Sequence, residues 1–201
     1  MAKFYISDLH LGHANILKFD NRPFLTLDEM HRTIRDNWND VVTDNDEVYI
    51  LGDAAWRNDV GAEILRTLAG KKYLIIGNHD RLNRELTSIF EWCKEYAEIK
   101  DNGNKIVLCH YPIAHWKNAD YGTIHLYGHI HRGRDGRPFS EYVYYMINNG
   151  WNYECYNVGC MMPYMNYTPK TLAQIRKSFS GYLRRTRMEG YINSTIPQGG
   201  K

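Results

Sequence analysis

The chain has 201 residues, 43% hydrophobic and 24% charged, a length that fits one domain and a composition that supports a buried core, which excludes a disordered or fibrous protein. Lys and Arg total 25 against 23 Asp and Glu, and the formal net charge of +2 argues against bulk electrostatic binding to nucleic acid or a membrane surface. Four cysteines without a C-x-x-C pair exclude a zinc ribbon and a disulfide framework, while nine histidines raise the question of which imidazoles hold a metal.

Short β-rich apolar runs at Lys3–Ser7, Glu47–Leu51 and Lys72–Ile76 are separated by helical patterns. Thr26-Leu-Asp-Glu29 reads as the capping box of a helix reaching about Val41, with Met30, Ile34, Trp38 and Val41 on one face. Asp59 is placed to cap a second helix with Ile64, Leu65 and Leu68 inward and Gly70 at its C-terminal end. Strand–helix–strand alternation at this spacing implies parallel strands in an α/β sheet. Tyr96–Lys100, the turn Asp101-Asn-Gly-Asn104 and Lys105–Cys109 read as a β-hairpin, followed by a fifth run at Thr123–Tyr127. Phe139 to Tyr167 carries nine aromatic residues and reads as further short strands and loops. A final helix is expected from Lys170 to about Phe179, with Thr168 as N-cap and Pro169 in its first turn. The expectation is one domain over residues 1–190 with a loose tail over 191–201. No stretch approaches the roughly 18 consecutive apolar residues of a membrane span. Met1–Ser7 lacks the pattern of a secretion signal, so a cytoplasmic protein is expected.

In an α/β sheet, ligands bind beyond the carboxyl ends of the strands. Here the runs stop on metal-capable residues: Asp8-Leu-His10, Gly52-Asp53, Gly77-Asn-His-Asp80, His110 and Gly128-His-Ile-His131. In extended chain, residues i and i+2 point the same way, so Asp8 is expected to face one ion with His10, and His129 with His131. A lone histidine is most often structural. Five such elements, each ending its own strand, require one site rather than five coincidences.

Those five blocks, in that order, resemble the signature of the calcineurin-like metallophosphoesterases. Asp8-Leu-His-Leu-Gly-His-Ala-Asn-Ile16, Asn21-Arg-Pro-Phe24, Asn37-Trp38 and His125-Leu-Tyr-Gly-His129 are similar to a subgroup of small, single-domain bacterial and phage phosphoesterases, and the resemblance runs from roughly Lys3 to Ile175. It implies a four-layer α/β/β/α sandwich with mixed sheets. It further implies a two-metal phosphohydrolase that cleaves phosphomonoesters or phosphodiesters by attack of a metal-bridging hydroxide. The first ion would be held by Asp8, His10, Asp53 and His131, the second by Asp53, Asn78, His110 and His129, with Asp53 shared. A carboxylate can bridge two ions as an imidazole cannot. Nitrogen and oxygen donors without thiolate suit Mn²⁺, Fe²⁺, Zn²⁺, Co²⁺ or Ni²⁺, with Mn²⁺ expected to support activity in vitro. The resemblance makes His79 the general acid for the leaving oxygen, with Asp80 either orienting it or capping a helix.

Other residues carry weaker signals. His13 and Asn15 either line the pocket or pack beneath it, His31 falls on a solvated helix face, and His115 and His125 lie in or beside a loop between ligand strands. Arg184-Arg-Thr-Arg187 is the one basic cluster, and short charge runs are usually solvated. The aromatic segment 139–167 reads first as a sheet face or oligomer interface and second as a stacking wall for a nucleobase. A small phosphate ester is therefore the favoured substrate. A nuclease or a nucleotide or cyclic-nucleotide phosphodiesterase using that segment is the alternative, and no membrane partner is expected.

Overall fold

In the computed structural model of the chain, residues 1–131 and 137–182 are described; the tail and the Arg184–Arg187 cluster lie outside them. The first sheet is wholly parallel, in the order β1 (Lys3–Ile6), β2 (Glu47–Leu51), β3 (Lys71–Ile75), β4 (Phe90–Lys94). The second runs β5 (Tyr96–Asp101), β6 (Asn104–Cys109), β7 (Ile124–Tyr127), β8 (Cys155–Asn157), antiparallel at β5–β6 and parallel thereafter. Only the second sheet is therefore mixed. The β5–β6 turn is the expected one: Asn102 (φ 46°) and Gly103 (φ 82°) both take the left-handed backbone that a two-residue hairpin loop needs.

Strand alternation sorts the core into layers. Phe4, Ile6, Val48, Ile50 and Leu74 face α2 (Leu27–Val41) and α3 (Asn58–Arg66) through Met30, Ile34, Trp38, Ala62 and Leu65. The intervening residues Tyr5, Tyr49, Leu51 and Ile75 meet Ile106, Leu108, Ile124 and Leu126 of the second sheet. The outer face of that sheet, Val107, Tyr127 and Cys155, packs on Trp116, Tyr153 and Val143 of α5 (Arg137–Asn148). The result is the four-layer α/β/β/α sandwich. The sheets are joined at one seam, where Ser7 N–H donates to the Val158 carbonyl (2.9 Å) and Cys160 N–H to the Ser7 carbonyl (2.9 Å).

Several local expectations are corrected. The Thr26 cap forms, accepting from Glu29 N–H, but Val41 is 37% exposed and Val42, extended at the helix end, turns inward in its place. Arg57, not Asp59, occupies the N-cap of α3; Asp59 lies in the first turn, where its charge complements the helix dipole. Ile64 is only partly buried, and Gly70 lies beyond the Thr67 C-cap in the turn leading to β3. The segment Arg84–Lys94 adds a one-turn helix, α4 (Arg84–Thr87), and the edge strand β4, neither of which has a strong periodic signature. The opening of the aromatic-rich segment is helical: Phe139, Val143 and Ile147 recur at helical spacing and present one face to the second sheet. The last helix, α6, spans 172–182 with Thr171 rather than Thr168 as its cap; Thr171 N–H donates to Gln174 Oε1 (2.9 Å) while Lys170 pairs with Tyr5. No helix among the described residues is long and apolar enough to cross a membrane.

His125 is a fully buried strand residue. Its Nε2 accepts from Ile113 N–H (3.2 Å) and its Nδ1 donates to the Val107 carbonyl (3.3 Å). Burial pushes it down to about 4. The unfolded chain, with a histidine near 6.5, then takes up the proton first as pH falls. Stability is full above about pH 6.5 and is lost toward pH 4, by up to about 3 kcal/mol from this residue. Urea midpoints measured across that window are expected to fall in the wild type and to fall less steeply in His125→Gln.

Candidate metal centre

The parallel ladders bring the carboxyl ends of β1, β2 and β3 to one edge and those of β6 and β7 to the facing edge of the other sheet. Beyond the strands the backbone turns sharply. Asp8 (φ 57°), His10 (φ 50°), Asp53 (φ 51°) and His129 (φ 68°) all adopt left-handed conformations that non-glycine residues rarely accept. Each costs on the order of 1 kcal/mol or more, and persists only because neighbours hold it. Asp8 N–H donates to the Gly52 carbonyl (3.0 Å), His10 N–H to the Asp53 carbonyl (2.9 Å), and His129 N–H to the Asp8 carboxylate (3.1 Å). At Gly52 (φ 90°) an added Cβ would lie 2.2 Å from His110 Nδ1, and at Gly77 one would lie 2.4 Å from both the amide nitrogen and Oδ1 of Asp53.

All seven expected ligands come together. His10 Nε2 and His131 Nε2 are 3.4 Å apart, and His131 Nε2 is 3.5 Å from Asp8 Oδ1. Asn78 Oδ1 is 2.9 Å from His110 Nε2 and 2.9 Å from His129 Nδ1. Asp53 Oδ2 stands between these groups, 3.6 Å from His10 Nε2 and 3.6 Å from His110 Nε2. The donor atoms of Asp8, His10 and His131, and those of Asp8, Asp53 and His110, lie within 4.8 Å of one another. The i, i+2 expectation fails for one pair: His129 turns to Asn78 and His131 to Asp8, because the left-handed residue between strand and loop breaks the pleat.

The donor set fits divalent cations. His110 Nδ1 donates to the Leu51 carbonyl (2.8 Å), which leaves Nε2 as the ring nitrogen turned toward Asn78 Oδ1 and available to an ion. His10 Nδ1 is buried with no hydrogen-bond partner among the described residues, and burial drives that imidazole down to about 2, leaving it neutral and able to donate a lone pair. Complete burial would raise Asp8, but the hydrogen bond and charge of His131 hold it well below the usual carboxylate range. Burial likewise disfavours the His131 cation, yet Asp20 and Asp8 push this histidine up to about 9, so a proton and a metal ion compete for it.

His79 and Asp80 occupy different positions. His79 N–H donates to Asp53 Oδ1 (2.8 Å), and its ring lies 5.0 Å from Trp56 and 5.6 Å from His10, at the mouth of the site. The Asp80 carboxylate accepts from the backbone N–H groups of Asp53 (2.9 Å), Ala54 (2.9 Å) and Gly77 (2.8 Å), tying the loops after β2 and β3 together. Asn83, accepting from Leu86 N–H, caps the following helix in place of Asp80.

Four surrounding residues escape sequence reasoning. Asp20 and Arg22 pack behind His131, and Trp56 and Tyr111 flank the centre with 42% and 46% exposure. Trp56 stacks on His13 (4.1 Å, 12°), and Tyr111 meets the edge of His129 (4.7 Å). Of these, only Arg22 carried a sequence signal, within Asn21-Arg-Pro-Phe24. His31 is not on a solvated face; its Nε2 accepts from Gly12 N–H (3.1 Å) and steadies the loop after β1. Asn15 is exposed, and His115 pairs with Asp120 (3.2 Å) on the surface. The ring contacts of the 139–167 segment are packing contacts: Tyr156 and Tyr164 on Phe179, Tyr142 on Tyr153, Tyr167 on Phe24. The wall of rings at the centre is supplied instead by His13, Trp56 and Tyr111.

Two four-stranded sheets sandwiched between helices, with acidic, amide and imidazole groups at the strand ends, define the metallophosphoesterase fold. The chain belongs to the calcineurin-like phosphoesterase family, whose sequence profile matches residues 4–125. It is 39% identical over 145 residues to a protein of Methanocaldococcus jannaschii, covering 69% of this chain and 76% of that protein. The Gene 66 protein of Mycobacterium phage L5 is 28% identical over 159 residues, covering 64% of this chain and 76% of the phage protein. A crystal structure of an Aquifex aeolicus protein superposes with a TM-score of 0.69 at 26% identity, over 88% of this chain and 98% of that one. The protein is thus a metal-dependent phosphoesterase. In Gly77→Ala the new methyl group is expected to displace the Asp53 carboxylate and lower Mn²⁺ affinity by on the order of tenfold or more, read by calorimetric titration.

Proposed function

We propose that the protein is a two-metal phosphohydrolase for small phosphomonoesters or phosphodiesters. The observation that carries this reading is the Asp53 carboxylate, one oxygen of which is equidistant from His10 and His110 and so serves two donor sets at once. Asp8, His10, Asp53 and His131 would hold one ion, and Asp53, Asn78, His110 and His129 the other, with Mn²⁺ as the metal to try first. Divalent ions there supply the Lewis acidity that lowers the pKa of water and offsets charge on the phosphoryl oxygens.

The chain supplies the rest. Asp8, His10, Asp53 and His110 form the buried floor, while Asn78, His79, His129 and His131 reach toward solvent, so a phosphoryl group enters from the exposed side. Water adds to phosphorus in line and gives up a proton, the ester P–O bond breaks, and His79 delivers a proton to the departing oxygen. His79 is held by its backbone bond to Asp53 and by ring contacts with Trp56 and His10. Asp80 acts on the loops, through backbone amides, rather than on the His79 ring. A net charge of +2 leaves the substrate to be drawn in at the centre rather than by a basic surface.

With Mn²⁺ added, the purified protein is expected to hydrolyse aryl phosphate esters. Asp53→Ala should abolish activity and metal loading together, and full activity in that variant would overturn the two-metal assignment. His79→Ala should keep its metal, by elemental analysis, and turn over more slowly by on the order of 10²–10⁴-fold.

A second reading, that the leaving group is aromatic or a nucleobase, is supported by the exposed Trp56 and Tyr111 beside the centre. It assigns to these rings the stacking role that the sequence offered second for the 139–167 segment. Tyr111→Ala should then raise KM for a nucleoside phosphate by on the order of tenfold and leave glycerol phosphate hydrolysis unaffected. Equal effects on both substrates would exclude it.

A further inference from the structure

Behind the centre lies an ion pair that the proposed chemistry does not use. Asp20 closes α1 (Ile16–Phe19), and Asn21, in a left-handed conformation (φ 47°), turns the chain back so that Arg22 runs inward. The Arg22 side chain is fully buried, with Nη2 donating to the Asp8 carbonyl (2.8 Å), Nη1 to the Leu9 carbonyl (3.2 Å) and Nε to Asp20 Oδ2 (2.9 Å). The other Asp20 oxygen, Oδ1, is 3.4 Å from His131 Nδ1. The opposite nitrogen of that ring, Nε2, is the atom that faces Asp8 and His10.

A buried ion pair adds little net stability over an apolar pair of the same volume, so its position is the more informative property. Arg22 grips one carboxylate oxygen and the backbone of the Asp8 turn simultaneously. Asp20 therefore cannot rotate, and its free oxygen is directed at one imidazole. An imidazole whose Nδ1–H is held by a carboxylate presents its lone pair at Nε2 in a fixed direction with increased basicity.

We infer that Asp20, locked by Arg22, is a positioning residue for His131 and sets the affinity of the ion that His131 helps to hold. The inference rests on the two-metal reading above. Arg22 couples that same ligand to the Asp8 turn, so two ligands distant in sequence are referenced to one guanidinium.

The test is Mn²⁺ titration of the full chain by calorimetry, with metal content checked by elemental analysis. The wild type is expected to bind two ions. Asp20→Ala should weaken one of them by on the order of 10–100-fold and leave the other unchanged. Asp20→Asn, which is isosteric and keeps an acceptor for Nδ1–H, should recover part of that loss and carries the test if the alanine variant does not fold. Wild-type affinity for both ions in Asp20→Asn, and in Asp20→Ala where it folds, would overturn the inference. So would a lowered thermal midpoint of the metal-free variants with unchanged ion affinity, the signature of a purely structural pair. A wild-type chain that binds no Mn²⁺ would overturn the two-metal reading itself and with it this inference, an outcome distinct from the other two.

Discussion

The structure is organised around the burial of two carboxylates. Asp8 and Asp53 are 0% and 2% exposed, and a carboxylate moved out of water costs several kcal/mol unless its charge is met. Backbone amides and imidazoles meet it. The His129 amide donates to Asp8 and the His79 amide to Asp53, while His131, His10 and His110 turn their rings toward the same two carboxylates. Those donors come from four strand ends, after β1, β3, β6 and β7. The two sheets, their register and the seam at Ser7 can be read as the means of delivering five loops to two oxygen pairs.

The left-handed turns at Asp8, His10, Asp53 and His129 follow from the same requirement. An extended chain leaving a strand would carry its side chains up and away; a reversal at the last residue folds the carboxylate or imidazole back over the strand end. The strain is held by the loops' mutual hydrogen bonds, and Asp80 contributes most to these by collecting amides from both the β2 and β3 loops. Its carboxyl is raised by burial, against which those amides act, a balance suited to a structural anchor at the base of the site.

Much of this was legible in the residues. Short β-rich apolar runs placed β1, β2, β3, β6 and β7, the hairpin turn placed β5, and the polar residues that end the runs identified the centre. The reasoning from extended pleats reached the right residues by the wrong geometry, since three of the four in the D-x-H and H-x-H pairs are not in extended chain at all. Asp8, His10 and His129 converge through turns that no periodicity encodes. Only the opening of the aromatic segment misled: its tyrosines have high strand propensity, whereas the Phe139, Val143, Ile147 spacing and packing on the second sheet make it a helix, and the rest of the segment holds the strand β8 and loops as expected. Trp56, Tyr111 and Asp20 were invisible for a different reason. Each acts through a neighbour that is distant in sequence, and a lone Trp, Tyr or Asp has no local pattern to reveal it.

The seam between the sheets has a thermodynamic corollary. Asp8, His10, Asp53 and Asn78 follow strands of the first sheet, and His110, His129 and His131 follow strands of the second. An ion held by both groups is a clasp across the sandwich, bound by the folded chain and not by its separated halves. Folding and ion binding are then linked by mass action, worth about 2.7 kcal/mol when the free ion stands 100-fold above its Kd. Chelation would loosen the sandwich as well as silence the centre, making the metal status of the cell a determinant of how long the chain survives in it.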